Sequence, residues 1–596
     1  MYVFFLKIEG GVLYQPVRIR VHLLLMRLLS IISCLTFSLS LCAQMPELEW
    51  SGHFNGENIV KVFDITSTSN GVIVVGEFRD VVDLDPGIGV VEFTTPPVLA
   101  QMPFILLLDD DMNLIWAKHL QAYVSSTGRP NIISDLDGYT YYSCMLGANT
   151  DIDPGPSEVF VNASSDAVIL KLDPDGNILW AKVLGDGNFW DTRTNDITLD
   201  PEGNIITTGY FSGVADFDPG PDTLLMDSDH GRGFIHKMDN DGNLLWTGQF
   251  AGNGIFNEGQ AVETDADGNI YVAGIYTYPS DFDIGPDTVW VEDNSGRDAF
   301  VMKYSAEGEL IWVNSFAGPG EDWPYGIEVL ENGGVVCTGR FEDTLDFDPG
   351  PNVYELVSAG FTDAFVLRLT TDGELDWVRT FGAINFENAV DVVKDDYGNL
   401  HLVGSFYHTV DFDPGPDEFI LSISDSTESN GFILTLDSLG NFVWAGQIGA
   451  GAGAVAIDAE NNLYCVGSFG NTIDLDPSPS EETLYTSAGQ TDAFVLKLNM
   501  DSLLTSLQEE TEQTGNLSVA VYPNPSNGIY KVILGENTDV RYEIRDIRGR
   551  VVQAETFVPA KGSGAVFNIN LQGESGIYFL EVVSDSERSV IKLVKE

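Results

Sequence analysis

The sequence predicts an all-β protein in which one unit of four short strands is repeated along most of the chain. Two independent markers define the repeat. An Asp-apolar-Asp tripeptide returns every 63 to 68 residues, and a tryptophan in a β-type segment returns every 64 to 67 residues. The tripeptides begin at Asp83, Asp151, Asp216, Asp281, Asp346, Asp411 and Asp474, and the tryptophans are Trp50, Trp116, Trp180, Trp246, Trp312, Trp377 and Trp444. Both markers count seven copies.

The copy at residues 260–316 shows the strand content of one repeat. Its four β-type runs are QAVETDADG, NIYVAGIY, DAFVMKYS and ELIWVNSF, separated by turns and one longer loop. Seven four-stranded units predict a seven-bladed β-propeller over residues 44–498, because radial repetition leaves few strand edges exposed. Rings of six or eight blades are the minor alternatives.

The two ends of the array predict how the ring closes. Residues 47–53, ELEWSGH, resemble a fourth strand without the three before it, and residues 492–498, DAFVLKL, resemble a third strand without its fourth. Pairing the two fragments completes one blade by a 3+1 closure and covers both edges.

Several repeats carry the motifs of a known family. They include Asp298-Ala299-Phe300-Val301, Asp363-Ala364-Phe365-Val366 and the run from Gly268 to Gly274, GNIYVAG. These segments resemble the β-propeller repeats of exported bacterial proteins. The resemblance implies the fold but no ligand, because one fold serves many functions.

The composition narrows the class of partner. The chain has 29 basic and 90 acidic side chains, and its formal net charge is −61. Such a charge repels phosphate backbones, so nucleic acid is not expected as a partner. An acidic surface is suited to binding divalent cations or to staying soluble outside the cell.

The N-terminal region predicts export. Residues 26–43, MRLLSIISCLTFSLSLCA, have one Arg, an apolar run and a small residue before Gln44, which is typical of a cleavable signal peptide. Residues 1–43 are therefore assigned to the signal, with Met26 as the expected true start. No later segment is apolar for long enough to form a transmembrane helix. The three cysteines that remain, Cys144, Cys337 and Cys465, are expected to be buried structural thiols.

The DFDPGPD loops are the first candidate site. The residue between the two Asp is always apolar, so strand alternation buries it and directs both carboxylates to one side. Calcium would relieve the repulsion between them, with a third acid completing the shell. The alternative, which we favour, is that each Asp pair only caps its loop through amide hydrogen bonds. The candidate calcium ligands are Asp216, Asp218, Asp222, Asp281, Asp283, Asp287, Asp411, Asp413 and Asp417.

The same end of each repeat carries aromatic rings in the loop between the fourth strand and the next first strand. They are Trp190, Phe256, Trp323 and Phe386, beside the acids Asp191, Glu258, Asp322 and Glu387. Rings beside carboxylates can stack on sugars and hydrogen-bond hydroxyls, or anchor a protein partner. The bland alternative is that the rings fill the tops of neighbouring blades.

No enzyme signature accompanies these features. The histidines after the signal do not recur in register, and HExxH, GxSxG and P-loop motifs are absent from the sequence. We therefore expect no enzyme activity. The expected function is a secreted or cell-surface binding or adhesion propeller for a glycan or protein ligand. The alternatives are a calcium-stiffened structural surface protein and, less favoured, an unrecognised polysaccharide-acting enzyme.

A different β domain follows an acidic linker at residues 499–516. Residues 517–596 contain VYPNP, DIRGRV, GIYFL and a terminal KLVK in that order. They resemble the C-terminal sorting domain of the type IX secretion system, which implies a small β-sandwich recognised by that secretion machinery and delivery to the surface or medium. The residues that carry the resemblance are Tyr522, Pro523, Asn524, Pro525, Gly528, Gly549, Gly576 and Lys592.

Overall fold

The computed structural model divides the chain into two compact units, one of residues 45–504 and one that includes residues 505–596. The described residues of the first unit are 45–96, 101–124, 129–147, 149–153, 159–163, 165–185, 192–252, 256–292, 296–331, 333–423, 429–478 and 482–500. Those of the second are 519–522, 529–534, 540–546, 551–557, 566–571, 576–583 and 588–595. The predicted signal peptide and almost all of the predicted linker lie outside them.

The first half of the large unit contains eighteen strands in chain order. They are β1 (Glu47–Gly56), β2 (Ile59–Thr68), β3 (Gly71–Arg79), β4 (Val81–Asp83), β5 (Glu92–Thr94), β6 (Met102–Leu108), β7 (Leu114–His119), β8 (Tyr123–Val124), β9 (Asn131–Ser134), β10 (Thr140–Gly147), β11 (Asn149–Asp151), β12 (Phe160–Asn162), β13 (Asp166–Leu172), β14 (Ile178–Leu184), β15 (Thr192–Leu199), β16 (Ile205–Asp216), β17 (Leu225–Met238) and β18 (Leu244–Gly252).

The second half repeats the pattern with shorter strands. They are β19 (Glu258–Thr264), β20 (Ile270–Tyr276), β21 (Ser280–Asp281), β22 (Trp290–Val291), β23 (Asp298–Tyr304), β24 (Leu310–Phe316), β25 (Trp323–Val329), β26 (Val335–Phe341), β27 (Thr344–Asp346), β28 (Glu355–Val357), β29 (Asp363–Leu369), β30 (Leu375–Phe381), β31 (Asn388–Lys394), β32 (Leu400–Phe406), β33 (Thr409–Asp411), β34 (Ile420–Ser422), β35 (Asn430–Leu436), β36 (Phe442–Ile448), β37 (Gly451–Ile457), β38 (Leu463–Phe469), β39 (Thr472–Asp474), β40 (Leu484–Thr486) and β41 (Asp492–Asn499).

These strands confirm the all-β prediction. Within the described residues they form antiparallel four-stranded sheets without a helix, as expected for blades. The four-stranded sets are β2-β3-β6-β7, β9-β10-β13-β14, β15-β16-β17-β18, β19-β20-β23-β24, β25-β26-β29-β30, β31-β32-β35-β36 and β37-β38-β41-β1. We number the strands of each set 1 to 4 in that order. Three of these sheets are extended by short strands: β8 pairs with β10, β21 with β18 and β4 with β1. The short strands between strands 2 and 3 form hairpins that begin the DFDPGPD loops.

The last sheet is built from both ends of the large unit. β1 pairs antiparallel with β41, with Ser51 opposite Leu496 and His53 opposite Phe494. The strand at the start of the array is therefore the fourth strand of the last sheet. In addition, each strand 1 contacts the strands 1 of two other sheets, and β37 contacts β2.

The periodic tryptophans explain how neighbouring sheets are joined. The indole N–H of Trp246 in strand 4 donates to the carbonyl of Ala306 in the next sheet's turn, at 3.1 Å. Its ring lies against Gly308 in that turn, where φ is +86°. The equivalent hydrogen bond joins Trp116, Trp180 and Trp312 to the corresponding turn of the next sheet. Four of the seven periodic tryptophans thus make the same hydrogen bond between neighbouring sheets.

The small unit carries two antiparallel sheets. The strands are β42 (Val519–Tyr522), β43 (Ile529–Leu534), β44 (Val540–Asp546), β45 (Val551–Phe557), β46 (Val566–Asn570), β47 (Gly576–Val583) and β48 (Arg588–Lys595). One sheet has the order β42-β43-β46 and the other β45-β44-β47-β48. Buried residues such as Ile544, Ile569 and Leu580 come from both sheets, in keeping with the small β-sandwich expected.

The contact of Trp246 with Gly308 generates a stability prediction. A Cβ at position 308 would lie 3.3 Å from the indole atoms, and the left-handed backbone adds strain. Gly203→Ala is the matched control, because Gly203 has a φ of +78° but only the amide nitrogen of Asn240 nearby, at 3.7 Å. We expect Gly203→Ala to cost about 1 kcal/mol from strain and Gly308→Ala about 1 kcal/mol more from displacing the ring, measured by denaturant unfolding. Equal losses in the two variants would contradict this role of Trp246.

Candidate ligand-binding site

A cavity of about 540 Å³ lies among the first strands of the sheets. All seven strands 1, which are β2, β9, β15, β19, β25, β31 and β37, contribute residues to its wall. Because strand 1 is the edge strand of each sheet, its backbone groups on the cavity side have no partner within the sheet. Side chains near the cavity can therefore bond these groups as well as a ligand.

A bulge in strand 1 directs side chains toward the cavity. The register shifts between Val62 and Asp64 in β2, and five other first strands shift at the equivalent position. A glycine of strand 2 lies opposite each bulge. A Cβ on Gly274 would stand 2.2 Å from the carbonyl oxygen of Glu258 and 2.5 Å from the Phe300 ring. The glycine that ends the YVAG motif is thus required by close backbone approach.

Three aspartates next to the bulges connect neighbouring sheets. Asp64, Asp196 and Asp391 each accept the backbone N–H of the following residue at 2.8 Å. Their second carboxylate oxygens accept an N–H from the first strand of the next sheet. The donors are Ile132 at 2.7 Å, Val262 at 2.7 Å and Val455 at 2.9 Å. The carboxylates thereby satisfy edge amides that the sheets leave unpaired.

These carboxyls titrate far from their ordinary range. Loss of hydration raises the pKa of Asp64 and of Asp196 to about 8, and repulsion from Asp391 adds to the shift at Asp64. The same burial raises the pKa of Asp391 to about 7. Burial, followed by repulsion from Glu328, raises the pKa of Glu263 to about 8. Burial thus moves the titration of these cavity acids up toward neutral pH.

Arginines and aromatic rings occupy another part of the wall. Arg193 forms an ion pair with Glu258 at 2.9 Å. Trp323 and Tyr325 stack with ring centroids 6.5 Å apart and an interplanar angle of 23°. The Arg340 guanidinium lies 5.8 Å from the Trp323 ring and 6.0 Å from the Tyr325 ring. Partly exposed amides of Asn131, Asn195 and Gln260 complete this region.

Three of the four aromatic residues predicted from the sequence lie among the described residues. Of these, Trp323 lines the cavity, and its ring lies 5.2 Å from the Arg297 guanidinium. Phe256 lies under the Arg297 guanidinium at 4.9 Å, and Phe386 stacks on Phe361 at 4.9 Å with 47% of its surface exposed. Neither residue lines this cavity. Trp190 lies outside the described residues, as does the neighbouring Asp191.

The acids beside these rings hold the loops in place. Buried Asp322 accepts the N–H of Glu342, and buried Glu387 accepts those of Ala383 and Tyr407. Desolvation raises the pKa of Asp322 to about 8 and that of Glu387 to about 7. Both carboxylates thus accept backbone N–H groups of the protein. Contact of these acids with ligand hydroxyls stays a prediction.

The DFDPGPD loops show extensive capping. The apolar residue between the acids is buried in every repeat, as predicted. One oxygen of Asp411 accepts the N–H groups of Asp413 and Phe419, and one oxygen of Asp413 accepts that of Gly415. Asp417, the third acid, is exposed.

The same amide bonds recur at Asp216 and Asp218 and at Asp281 and Asp283, and the third acids Asp222 and Asp287 are likewise exposed. Throughout the described residues, no three His, Cys, Asp or Glu side chains are grouped to hold a metal ion. The nine-residue calcium assignment stays a prediction.

Sequence reasoning missed the acids and the arginine of the cavity. Three of the acids, Asp64, Asp196 and Asp391, recur in register with the repeat. Because they occur in only three copies, they are a weaker repeat signal than the tripeptides and tryptophans. Arg340 carries no repeat signal. The pairing of β25 with β26 places it opposite Trp323.

The comparison with known families identifies the C-terminal unit. Residues 520–596 match the secretion system C-terminal sorting domain. The protein is therefore exported by the type IX route to the cell surface or the medium. Of the residues predicted to carry this signal, Tyr522 ends β42, Gly576 begins β47 and Lys592 lies in β48 opposite Phe579. Pro523, Asn524, Pro525, Gly528 and Gly549 lie outside the described residues.

The remaining comparisons concern distant proteins. An uncharacterized WD repeat-containing protein of Acanthamoeba polyphaga mimivirus is 22% identical over 286 residues, which are 42% of this chain and 19% of the viral protein. The match hints at propeller repeats. Among the described residues, no helix is long and apolar enough to cross a membrane.

Two solved structures are similar at low scores. A protein of unknown function from Bacteroides caccae has a TM-score of 0.30 and 13% identity, covering 57% of this chain and 89% of its own. A glycoside hydrolase family 43 arabinoxylan arabinofuranohydrolase from Bacillus subtilis has a TM-score of 0.27 and 11% identity, covering 91% and 93%. Scores this low support no functional argument.

The raised pKa of Glu263 predicts a pH-dependent effect of Glu263→Gln. Since the folded state holds the proton up to about pH 8 and the unfolded state releases it near pH 4, folding stability falls as pH rises between these values. Gln keeps both bonds, because the Thr264 N–H and the Thr198 hydroxyl donate to the same oxygen. Calorimetry should show Tm raised by roughly 1–3 °C at pH 8.5 and unchanged at pH 4.

Glu258→Gln is the control for this prediction. Glu258 pairs with Arg193 at 2.9 Å, so its neutralisation removes an ion pair and should lower Tm at pH 8.5. A lower Tm for Glu263→Gln at pH 8.5, or the same shift at both pH values, would contradict the assignment of a raised Glu263 pKa.

The capping bonds predict how the DFDPGPD loops respond to calcium. In Asp411→Asn the amide oxygen can still accept both N–H groups, so we expect a loss below about 1 kcal/mol and the same Tm in calcium and in chelator. Differential scanning calorimetry of the wild type and the variant tests this. If calcium raises the wild-type Tm and Asp411→Asn abolishes the rise, the loops are cation sites and capping is the wrong explanation.

Proposed function

We propose that this exported protein is a glycan-binding module whose binding site is the cavity, at the centre of a closed seven-bladed propeller. The propeller proposal is supported by the four-stranded sheets, the pairing of β1 with β41 and the contacts between successive first strands. These observations agree with domain boundaries near residues 44 and 498. A linker and the sorting unit would then follow.

The observation that carries the binding proposal is the combination of aromatic rings and hydrogen-bonding amides on one cavity wall. The stacked pair of Trp323 and Tyr325 presents partly exposed rings, on which the apolar face of a sugar can pack. Asn131, Asn195 and Gln260 supply donors and acceptors for hydroxyls. A protein anchor, in contrast, fills a pocket with an apolar side chain, and this wall is mostly polar.

The carboxyls of the cavity favour a second candidate function, polysaccharide cleavage, because a protonated acid can act as a general acid at neutral pH. We consider binding the better-supported function. Both oxygens of Asp64, Asp196 and Asp391 already accept backbone N–H groups, which accounts for these residues by structure alone. Binding without turnover is thus part of the proposal.

A glycan array probed with the purified protein tests the binding proposal. We expect signals that Trp323→Ala lowers at least tenfold, because the stacking surface is lost. Trp290→Ala is the matched control: Trp290 is 53% exposed in a hairpin that does not line the cavity. Unchanged signals in Trp323→Ala, with an unchanged Tm, would show that the cavity is not the binding site. Release of shorter fragments from any bound polysaccharide would show that the protein is an enzyme.

A further inference from the structure

The arginines of the cavity are unusual in so acidic a chain. The sequence has only 29 basic residues against 90 acidic ones, yet Arg129, Arg193 and Arg340 all line one cavity. Glu258 neutralises Arg193 at 2.9 Å. For the part of the chain that the structure describes, no carboxylate forms an ion pair with Arg129 or Arg340. Six carboxyl groups also line the cavity, but within the described residues Arg129 and Arg340 pair with none of them, so two guanidinium groups remain for an external anion.

Two nitrogen donors next to the aromatic pair are also unused. The Nε–H of Arg340 and the indole N–H of Trp323 are buried without a hydrogen-bond partner among the described residues. Leaving such donors unpaired costs about 1–3 kcal/mol each, so the protein itself satisfies this part of the wall poorly. Because Arg340 lies within 6.0 Å of both ring centres, its donor group and the stacking surface can engage adjacent parts of one ligand.

The chemistry of this wall specifies the ligand. A guanidinium matches the two oxygens of a carboxylate through parallel N–H bonds. The rings match the apolar face of a pyranose, and the amides of Asn131, Asn195 and Gln260 match its hydroxyls. A uronic acid residue carries the carboxylate, the ring and the hydroxyls in one unit.

We propose that the cavity recognises an acidic polysaccharide through a uronic acid residue, with its carboxylate on Arg340 and its ring against Trp323. This inference rests on the proposed glycan-binding function and narrows it to one charge class. Arg129 adds long-range attraction for the same anion. Burial raises the pKa of Tyr325, and the positive charges of Arg340 and Arg129 oppose part of that rise. Sulfated sugars share the negative charge but lack the planar carboxylate.

Isothermal titration calorimetry in the presence of chelator separates these possibilities. The probes are oligouronates from pectin and alginate, their methyl esters, a sulfated galactan fragment and a neutral galactan fragment. We expect at least one oligouronate to bind. Its methyl ester should bind at least tenfold more weakly, because esterification removes the charge and keeps the sugar. Sulfated and neutral fragments should be weaker than the acid.

Variants at Arg340 test the assigned contact. Arg340→Gln should lose at least tenfold in affinity for the oligouronate, and Arg340→Lys should keep part of the affinity, because charge remains without the two-pronged geometry. Arg79→Gln, which removes an exposed arginine that does not line the cavity, should bind as the wild type does. A melting curve verifies that each variant is folded.

Equal affinity for an acid and its methyl ester, or full affinity in folded Arg340→Gln, would overturn the uronate proposal. Stronger binding of the sulfated fragment would overturn it in favour of sulfate. Binding of neutral fragments alone, lost in Trp323→Ala, would leave the glycan-binding function standing and refute only the uronate. Absence of binding to every probe and to the array would refute both.

Discussion

The pairing of β1 with β41 is the interaction on which the rest of the large unit depends. It joins residues at the two ends of a 45–504 unit and gives the last sheet its fourth strand. The pairing also places Phe54 and Ala493 in the same core cluster as Val60 and Phe104 of the first repeat. Without it, one edge of β41 would be unpaired. The link between the first and last repeats, which brings all the first strands around one cavity, would also be lost.

Between sheets, the same few contacts recur with the repeat. The tryptophan of strand 4 reaches the glycine-containing turn of the next sheet, and a basic residue of strand 3 reaches the same turn: Lys237 bonds the carbonyl of Ala306 at 3.0 Å. Near the cavity, the carboxylates of Asp64, Asp196 and Asp391 bridge first strands. The sheets are therefore connected both at their outer strands and at the cavity, which keeps the cavity wall in one arrangement.

The sequence predicted the features that repeat and missed those that do not. The tryptophans recur in register and marked one strand of each unit, and the residue between the two Asp of each tripeptide was correctly expected to be buried. The three cysteines were also correctly expected to be buried free thiols. The cavity wall is different, because each repeat has its own residue type at the bulge. Equivalent positions are occupied by Gln260, Tyr325 and Gly453. A repeat pattern does not reveal residues that differ between copies. Only the pairing of the strands shows which of these residues lie close together.

A cysteine pair at the two chain ends tests the central claim, ring closure, most directly. Glu47 lies opposite Asn499 in the β1–β41 pair, and the native thiols are buried and resist oxidation because burial raises their pKa. Glu47→Cys combined with Asn499→Cys should form an intramolecular disulfide under mild oxidation, detected by mass spectrometry of the proteolysed protein, and should raise Tm relative to the reduced form. Disulfides formed only between molecules, or none at all, would contradict the closed ring.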